Sequence, residues 1–150
     1  MPKKPDDNKN EQAPGPASAK GFGGQAATNT AIDESIRQIK TKFGEEAARQ
    51  LQRVTEKIVA EYQPEKIILF GSWAWGVPHE WSDLDLFIVK DSPKKRRERE
   101  YELRMKLFGN KFPPMDLLIY TPEEMEKRVH IGDFFVNDIL DRGTVLYEKT

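Results

Sequence analysis

Two aspartates, Asp83 and Asp85, stand two residues apart in the run SDLDLFIVK, and a third, Asp116, opens a later run, MDLLIY. Both runs read as strands, apolar and well supplied with β-branched and aromatic residues. Side chains two apart on a strand share a face, so Asp83 and Asp85 stand side by side and repel one another unless a cation lies between them. If the two strands are neighbours, all three carboxylates meet at one end of a sheet. Oxygen ligands clustered there without basic neighbours are the donors Mg²⁺ prefers, usually shared with substrate phosphates. Two such ions about 3.5–4 Å apart can clamp the attacking and leaving oxygens of an in-line displacement. The bland alternative, N-capping and strand-end solvation, does not account for two same-face acids at a strand start, which stability alone would not select. Upstream, Gly71 and Ser72 end another apolar run, KIILF. Gly71 lets backbone approach a phosphate closely, the Ser72 hydroxyl can donate to it, and a helix beginning near Trp73 would aim N–H groups at it. As plain turn residues they would do none of this.

The rest of the chain supplies the elements that position these groups. Ile32, Ile36, Ile39, Phe43, Ala47, Leu51, Val54, Ile58 and Tyr62 recur at steps of three and four, one helix face suited to covering a sheet. Gly44 marks a kink or a boundary between two helices, and Pro64 closes the segment. The stripe lacks the sustained heptad of a coiled-coil seam. The run Lys66 to Phe70 reads as a strand buried on both faces. After the Asp83 strand, Ser92 and Pro93 look like an N-cap and first helical position, giving a helix from about Pro93 to Phe108. Its apolar face is ragged: Tyr101, Leu103, Met105, Leu107 and Phe108. Its cations Lys94, Lys95, Arg96, Arg97 and Arg99 alternate with Glu98, Glu100 and Glu102, which suits a solvated surface better than a nucleic-acid site. Gly109 ends that helix, and Met115 to Tyr120 is the next strand. Thr121-Pro122-Glu123-Glu124 is a capping box that starts a short helix. A second short helix fits Asp133 to Asp141, Gly143 stops it, and Thr144 to Tyr147 forms a last strand. Phe134 and Phe135 read as core. His79 and His130 lack metal-ligand spacing and read as surface residues.

Composition narrows the setting. A chain of 150 residues holds one domain. Residues 1–30 are nearly free of large apolar side chains and are expected to be a disordered tail, with residues 31–150 forming the domain. A net charge of −1 gives no global footprint for nucleic acid, so direct DNA binding is not expected. The absence of cysteine excludes disulfides and thiolate metal sites. No apolar run reaches membrane-spanning length, and the expectation is a soluble cytoplasmic protein.

Gly71-Ser72, then ten residues, then Asp83-Leu84-Asp85, with Asp116 on a later strand, resembles the nucleotidyltransferase motif of the DNA polymerase beta superfamily. More narrowly, the chain resembles the minimal nucleotidyltransferases of prokaryotes, many of which are antitoxins paired with a HEPN-domain protein. The likeness runs from about Glu56 to Glu148. It implies an α+β fold, a small mixed sheet packed by helices. It also implies that Gly71 and Ser72 hold the triphosphate of ATP, that Asp83 and Asp85 bind Mg²⁺, and that Asp116 completes the metal site and helps deprotonate the acceptor hydroxyl. Two Mg²⁺ ions, transfer of AMP to a hydroxyl of a HEPN-type partner and possible oligomerisation belong to the same expectation. The alternatives are a non-catalytic antitoxin that occludes its partner and a small-molecule transferase of the antibiotic-modifying kind. Some members carry an arginine after the Gly-Ser turn where this chain has Trp75, so a cationic contact must come from elsewhere or be dispensable. Trp73, Trp75 and Trp81 lie within nine residues; they could stack on adenine, form a protein-binding hot spot or pack under the loop.

Overall fold

The computed structural model describes residues 23–75 and 83–150. Helices α1 (Gly23–Phe43) and α2 (Glu45–Tyr62) come first, separated by Gly44 at φ 98°. That left-handed-side backbone suits glycine, so Gly44 is a true boundary between two helices. The stripe behaves as its spacing requires: Ile39, Leu51, Val54, Ile58 and Tyr62 are all buried. Helix α1 starts earlier than composition suggests, within the segment expected to be a disordered tail. Extending a formed helix costs little per residue, and Gln25, Ala26 and Ala27 are good helix formers. Residues 1–22, the rest of that expected tail, lie outside the described residues.

Strand β1 (Lys66–Phe70) leads into a one-turn helix α3 (Ser72–Trp75), and β2 (Leu84–Val89) follows. Then come α4 (Arg96–Leu107), β3 (Met115–Tyr120), α5 (Pro122–His130), α6 (Phe134–Arg142) and β4 (Thr144–Glu148). The strands form one mixed four-stranded sheet in the order β3-β2-β1-β4. Strand β1 runs antiparallel to both β2 and β4, whereas β2 and β3 are parallel. The fold is thus α+β, a small mixed sheet packed by helices.

Both sheet faces are covered, which is why the strands read as continuous apolar runs and not as alternations. Ile67, Leu69, Leu86, Ile88, Leu117 and Ile119 face one way and pack with α1, α2, and Leu103 and Leu107 of α4. Ile68, Phe70, Phe87, Val89 and Tyr120 face the other way and pack with Val136 and Ile139 of α6. Each such side chain contributes about 1.5–3 kcal/mol by leaving water. Ser35 of α1 donates to the Val145 carbonyl and ties the first helix to the last strand.

Three expectations need correction. Helix α4 begins at Arg96, with Lys95 as its cap; the Lys95 N–H donates to Glu98 at 3.0 Å, while Ser92 Oγ only accepts from the Lys94 N–H in the preceding turn. Arg99 is not part of a solvated cluster but 1% exposed. Its guanidinium forms two hydrogen bonds with Glu124, at 2.8 and 2.9 Å, and a third with the Ile119 carbonyl at 3.1 Å. Burial is tolerated because the charge is met by a carboxylate in fork geometry. Phe134 is 92% exposed and Phe135 53%, so that pair is not core. They follow the Asp133 cap in the first turn of α6, and the core-facing positions of that helix are Val136 and Ile139. The capping box at Thr121 is present as expected, with Glu124 N–H donating to Thr121 Oγ1 at 3.1 Å. Among the described residues, no helix is long and apolar enough to cross a membrane.

Candidate active site

Strand direction gathers the predicted residues at one end of the sheet. Because β2 and β3 are parallel, their N-termini lie together, and Asp85 is paired directly with Asp116. Because β1 is antiparallel to β2, its C-terminus arrives at the same end, with Phe70 opposite Asp85. Gly71 therefore follows immediately beside the Asp85 carboxylate. Alternation puts Asp85 and Asp116 on the face that carries Phe87, Tyr120 and α6. Asp83 sits just before β2 and is exposed, Asp85 is half-buried, and Asp116 is exposed.

Electrostatics record how close these acids are. Asp85 is pushed up to about 6 from an ordinary 3.8, first by burial, then by the charge of Asp116, a shared hydrogen bond with Asp116, and the charge of Asp83. Burial and neighbouring like charges both disfavour the ionised form in this way. The donors are all carboxylate oxygens, the chemistry suited to Mg²⁺ and unsuited to softer metals. Among the described residues, however, no three His, Cys, Asp or Glu side chains are gathered tightly enough to hold an ion by themselves.

The Gly-Ser turn is held close to the acids. Gly71 has φ 76°, and a Cβ built on it would run into the Asp85 carboxylate, 3.0 Å from Cγ. Glycine is required there twice over, for the backbone angle and for the close approach. Its carbonyl accepts from the N–H of Ala74 at 2.9 Å and of Trp75 at 3.0 Å, which winds α3 and leaves Ser72 at its first position. Trp73 meets Phe43 edge-on at 5.4 Å, and Trp75 lies 6.5 Å from Phe70. Packing beneath the turn is thus the role visible for both; Trp81 and His79 lie outside the described residues.

Two cations at this turn escape sequence reading. The Arg142 guanidinium, from the end of α6, lies 4.5 Å from the Trp75 ring centroid. Lys42, from α1, donates to the Ala74 carbonyl at 3.2 Å. Their separations in the chain, 67 residues between Arg142 and Trp75 (142 − 75) and 32 for Lys42 and Ala74, leave no local signal. The sequence puts tryptophan where a cation was expected, and the fold brings a guanidinium to that tryptophan.

Comparisons with known proteins bear on this arrangement. The model of the nucleotidyltransferase domain family matches residues 51–146, from α2 to β4. A Methanocaldococcus jannaschii protein, provisionally named a protein adenylyltransferase, is 35% identical over 77 residues. That alignment covers 51% of this chain but only 41% of the relative, so the chain spans about two fifths of the curated relative's length. The crystal structure of a provisionally named nucleotidyltransferase from Sulfolobus solfataricus superposes with a TM-score of 0.42 at 22% identity, over 65% of this chain and 79% of that one.

Proposed function

Since the chain belongs to the nucleotidyltransferase domain family, we propose that it transfers AMP from ATP, with Mg²⁺, to a hydroxyl of an acceptor protein. The observation that carries this reading is the pairing of Asp85 with Asp116 across the parallel strands, with the Gly71 backbone packed on the Asp85 carboxylate. Acids for a metal and a turn for phosphates are then contiguous.

In this reading Gly71 and Ser72 bind the polyphosphate, and Asp83, Asp85 and Asp116 would hold Mg²⁺ together with oxygens of the substrate. When bound, the ion supplies positive charge opposite the phosphate oxygens and the leaving group. The chain's own residues position the reactants. Asp116, exposed at the outer strand, accepts the proton of the acceptor hydroxyl. The freed oxygen forms a bond to the α-phosphorus as the bond to the bridging oxygen breaks, and pyrophosphate leaves. Positioning of the two reactants and neutralisation of charge supply the acceleration. The relative's name supports a protein acceptor. The acceptor we assign is a HEPN-domain partner, which the modification would silence, making this chain an antitoxin acting in the cytoplasm.

The test is to incubate the chain with ATP labelled at the α-phosphate, Mg²⁺ and a HEPN-domain protein encoded beside it. Label is expected on the partner, and its transfer should fall by about two to three orders of magnitude in Asp83→Ala and Asp85→Ala, as for loss of groups acting on the transition state. Undiminished transfer by both variants, or none by the parent chain, would sink the proposal.

A further inference from the structure

At the site end of the sheet, Asp116, Asp85 and Phe70 lie on neighbouring strands in that order, and β4 begins on the far side with Thr144 opposite Leu69. Arg142 closes α6 two residues before Thr144, so it arrives at the same end from the side opposite the acids. It also shares their face. Phe70 pairs with Asp85, its ring lies near Trp75, and Trp75 carries the Arg142 guanidinium at 4.5 Å. Trp75 in turn is one helical turn from Gly71, joined to it by a 3.0 Å backbone hydrogen bond. The order across the end is therefore carboxylates, Gly-Ser turn, guanidinium. Neighbouring strands are about 4.8 Å apart, so the acids and the arginine are separated by roughly the width of two strands.

The contacts of Arg142 hold it without using it up. A guanidinium over an indole is held through the ring face without spending a hydrogen-bond donor, and among the described residues Nε and Nη2 donate to no side chain or carbonyl. Its ion pair with Asp138 is a long one, 3.3 and 3.4 Å, and runs from Nη1 alone. Its side chain is 53% exposed. A structural arginine would be saturated, as Arg99 largely is. An arginine held over one ring, with two of its nitrogens unengaged among the described residues, has the form of an anion clamp.

We propose that Arg142 binds the terminal phosphates of the nucleoside triphosphate beyond the Gly71-Ser72 turn, with Trp75 and Asp138 positioning it. The inference rests on the nucleotidyl-transfer reading above and adds a binding residue to it. On this view the substrate's charge is met at one end by the metal-binding acids' ion and at the other by α6.

Calorimetric titration of the full chain with ATP, ADP and AMP, with Mg²⁺ and no acceptor, tests it. Arg142→Ala should bind ATP about 10- to 100-fold more weakly, the range for a lost charged hydrogen-bonding group, while AMP binding stays within twofold or so of the parent. Arg142→Lys should recover part of the loss, and Trp75→Leu should show a smaller loss with the same preference for ATP. Thermal melts confirm folding, and Arg142→Gln takes the place of the alanine variant if that one unfolds. Equal affinities for ATP in parent and variant, or equal losses for ATP and AMP, would overturn the assignment of Arg142 while leaving nucleotidyl transfer intact. A parent chain that binds no nucleotide would overturn both.

Discussion

Replacing Asp85 with asparagine should make the protein more stable while it stops working. The carboxyl titrates near 6 in the folded chain and near 3.8 when free of its neighbours. Between those values the folded state holds a proton that the unfolded state has lost, so stability declines as pH rises through this window and stays low above it. A shift of about two units corresponds to at most ~3 kcal/mol. Asp85 is partly open to water, and screening reduces the effect to about 1–2 kcal/mol. Asparagine has nearly the same shape and no charge to repel. Asp85→Asn should therefore melt about 3–8 °C higher at pH 7.5 in chelator, given the usual dependence of melting temperature on stability for domains of this size. At pH 4 the parent is itself protonated in the fold, and the gain should nearly vanish. Melting followed by circular dichroism at both pH values gives the comparison. Added Mg²⁺ should raise the parent's midpoint at pH 7.5 and leave the variant's nearly unchanged. A variant no more stable than the parent at pH 7.5, or equally stabilised at both pH values, would refute the reasoning that burial and like charge raise Asp85.

Gly71→Ala should lose about 1–2 kcal/mol from backbone strain alone and displace the Asp85 carboxylate against which its new Cβ would sit; label transfer should fall about tenfold or more, since a misplacement of about 1 Å is enough. Glu124→Gln should leave the buried Arg99 without its countercharge and cost about 2 kcal/mol in urea unfolding at pH 7, discounted from the fully buried case because Glu124 is half exposed. Since Arg99 holds the Glu124 carboxyl below its usual range, that contribution is present above the ordinary carboxylate range and is lost as pH falls, so parent and variant should converge in acid. Gly143→Ala would put a Cβ 2.5 Å from both the Ile139 carbonyl oxygen and Ile68 Cγ2, and should cost about 1–3 kcal/mol by overpacking, read as a lower urea midpoint.

Much of this architecture is legible in the chain because it is encoded locally. The three-and-four spacing from Ile36 to Tyr62 gives the covering helices, and Gly44 gives their boundary. Thr121 to Glu124 spells its own cap. The apolar runs at Ile67, Leu86 and Leu117 declare strands covered on both faces. The meeting of Asp85 with Asp116 depends on a single further condition, that their strands be neighbours, and the parallel register satisfies it. What stays hidden involves partners far apart in sequence. Arg99 looks like one cation among several until Glu124 is brought beside it, 25 residues later. Arg142 looks like an ordinary helix-end residue until α6 folds across the sheet and lays it on Trp75. Phe134 looks like core because its type suggests burial, but the Asp133 cap sets the phase of α6 and turns that side chain outward. Residue type alone does not report phase.

Asp85 and Glu124 show why the acids at the sheet end call for a functional explanation. Both are carboxylates beside an end of the sheet, Asp85 where the parallel strands begin and Glu124 just past where β3 ends, and their surroundings treat them oppositely. Glu124 has Arg99 in fork geometry and a helix N-terminus, and its ionised form is favoured. Asp85 is partly buried and has Asp116 and Asp83 for neighbours, and its ionised form is disfavoured. A fold able to bury Arg99 to 1% exposure beneath Glu124 has the means to neutralise an acid where neutrality is wanted. At Asp85 it places two more acids and a glycine backbone instead, and sets Arg142 on the far side of the Gly71-Ser72 turn. Burial and the repulsion left standing lower the protein's stability above pH 6, and protonation, a neutral side chain or a bound cation would each relieve the penalty. That separation of acids from arginine suits a ligand carrying both a metal ion and a row of phosphates, and a structural role for Asp83, Asp85 and Asp116 would not require it.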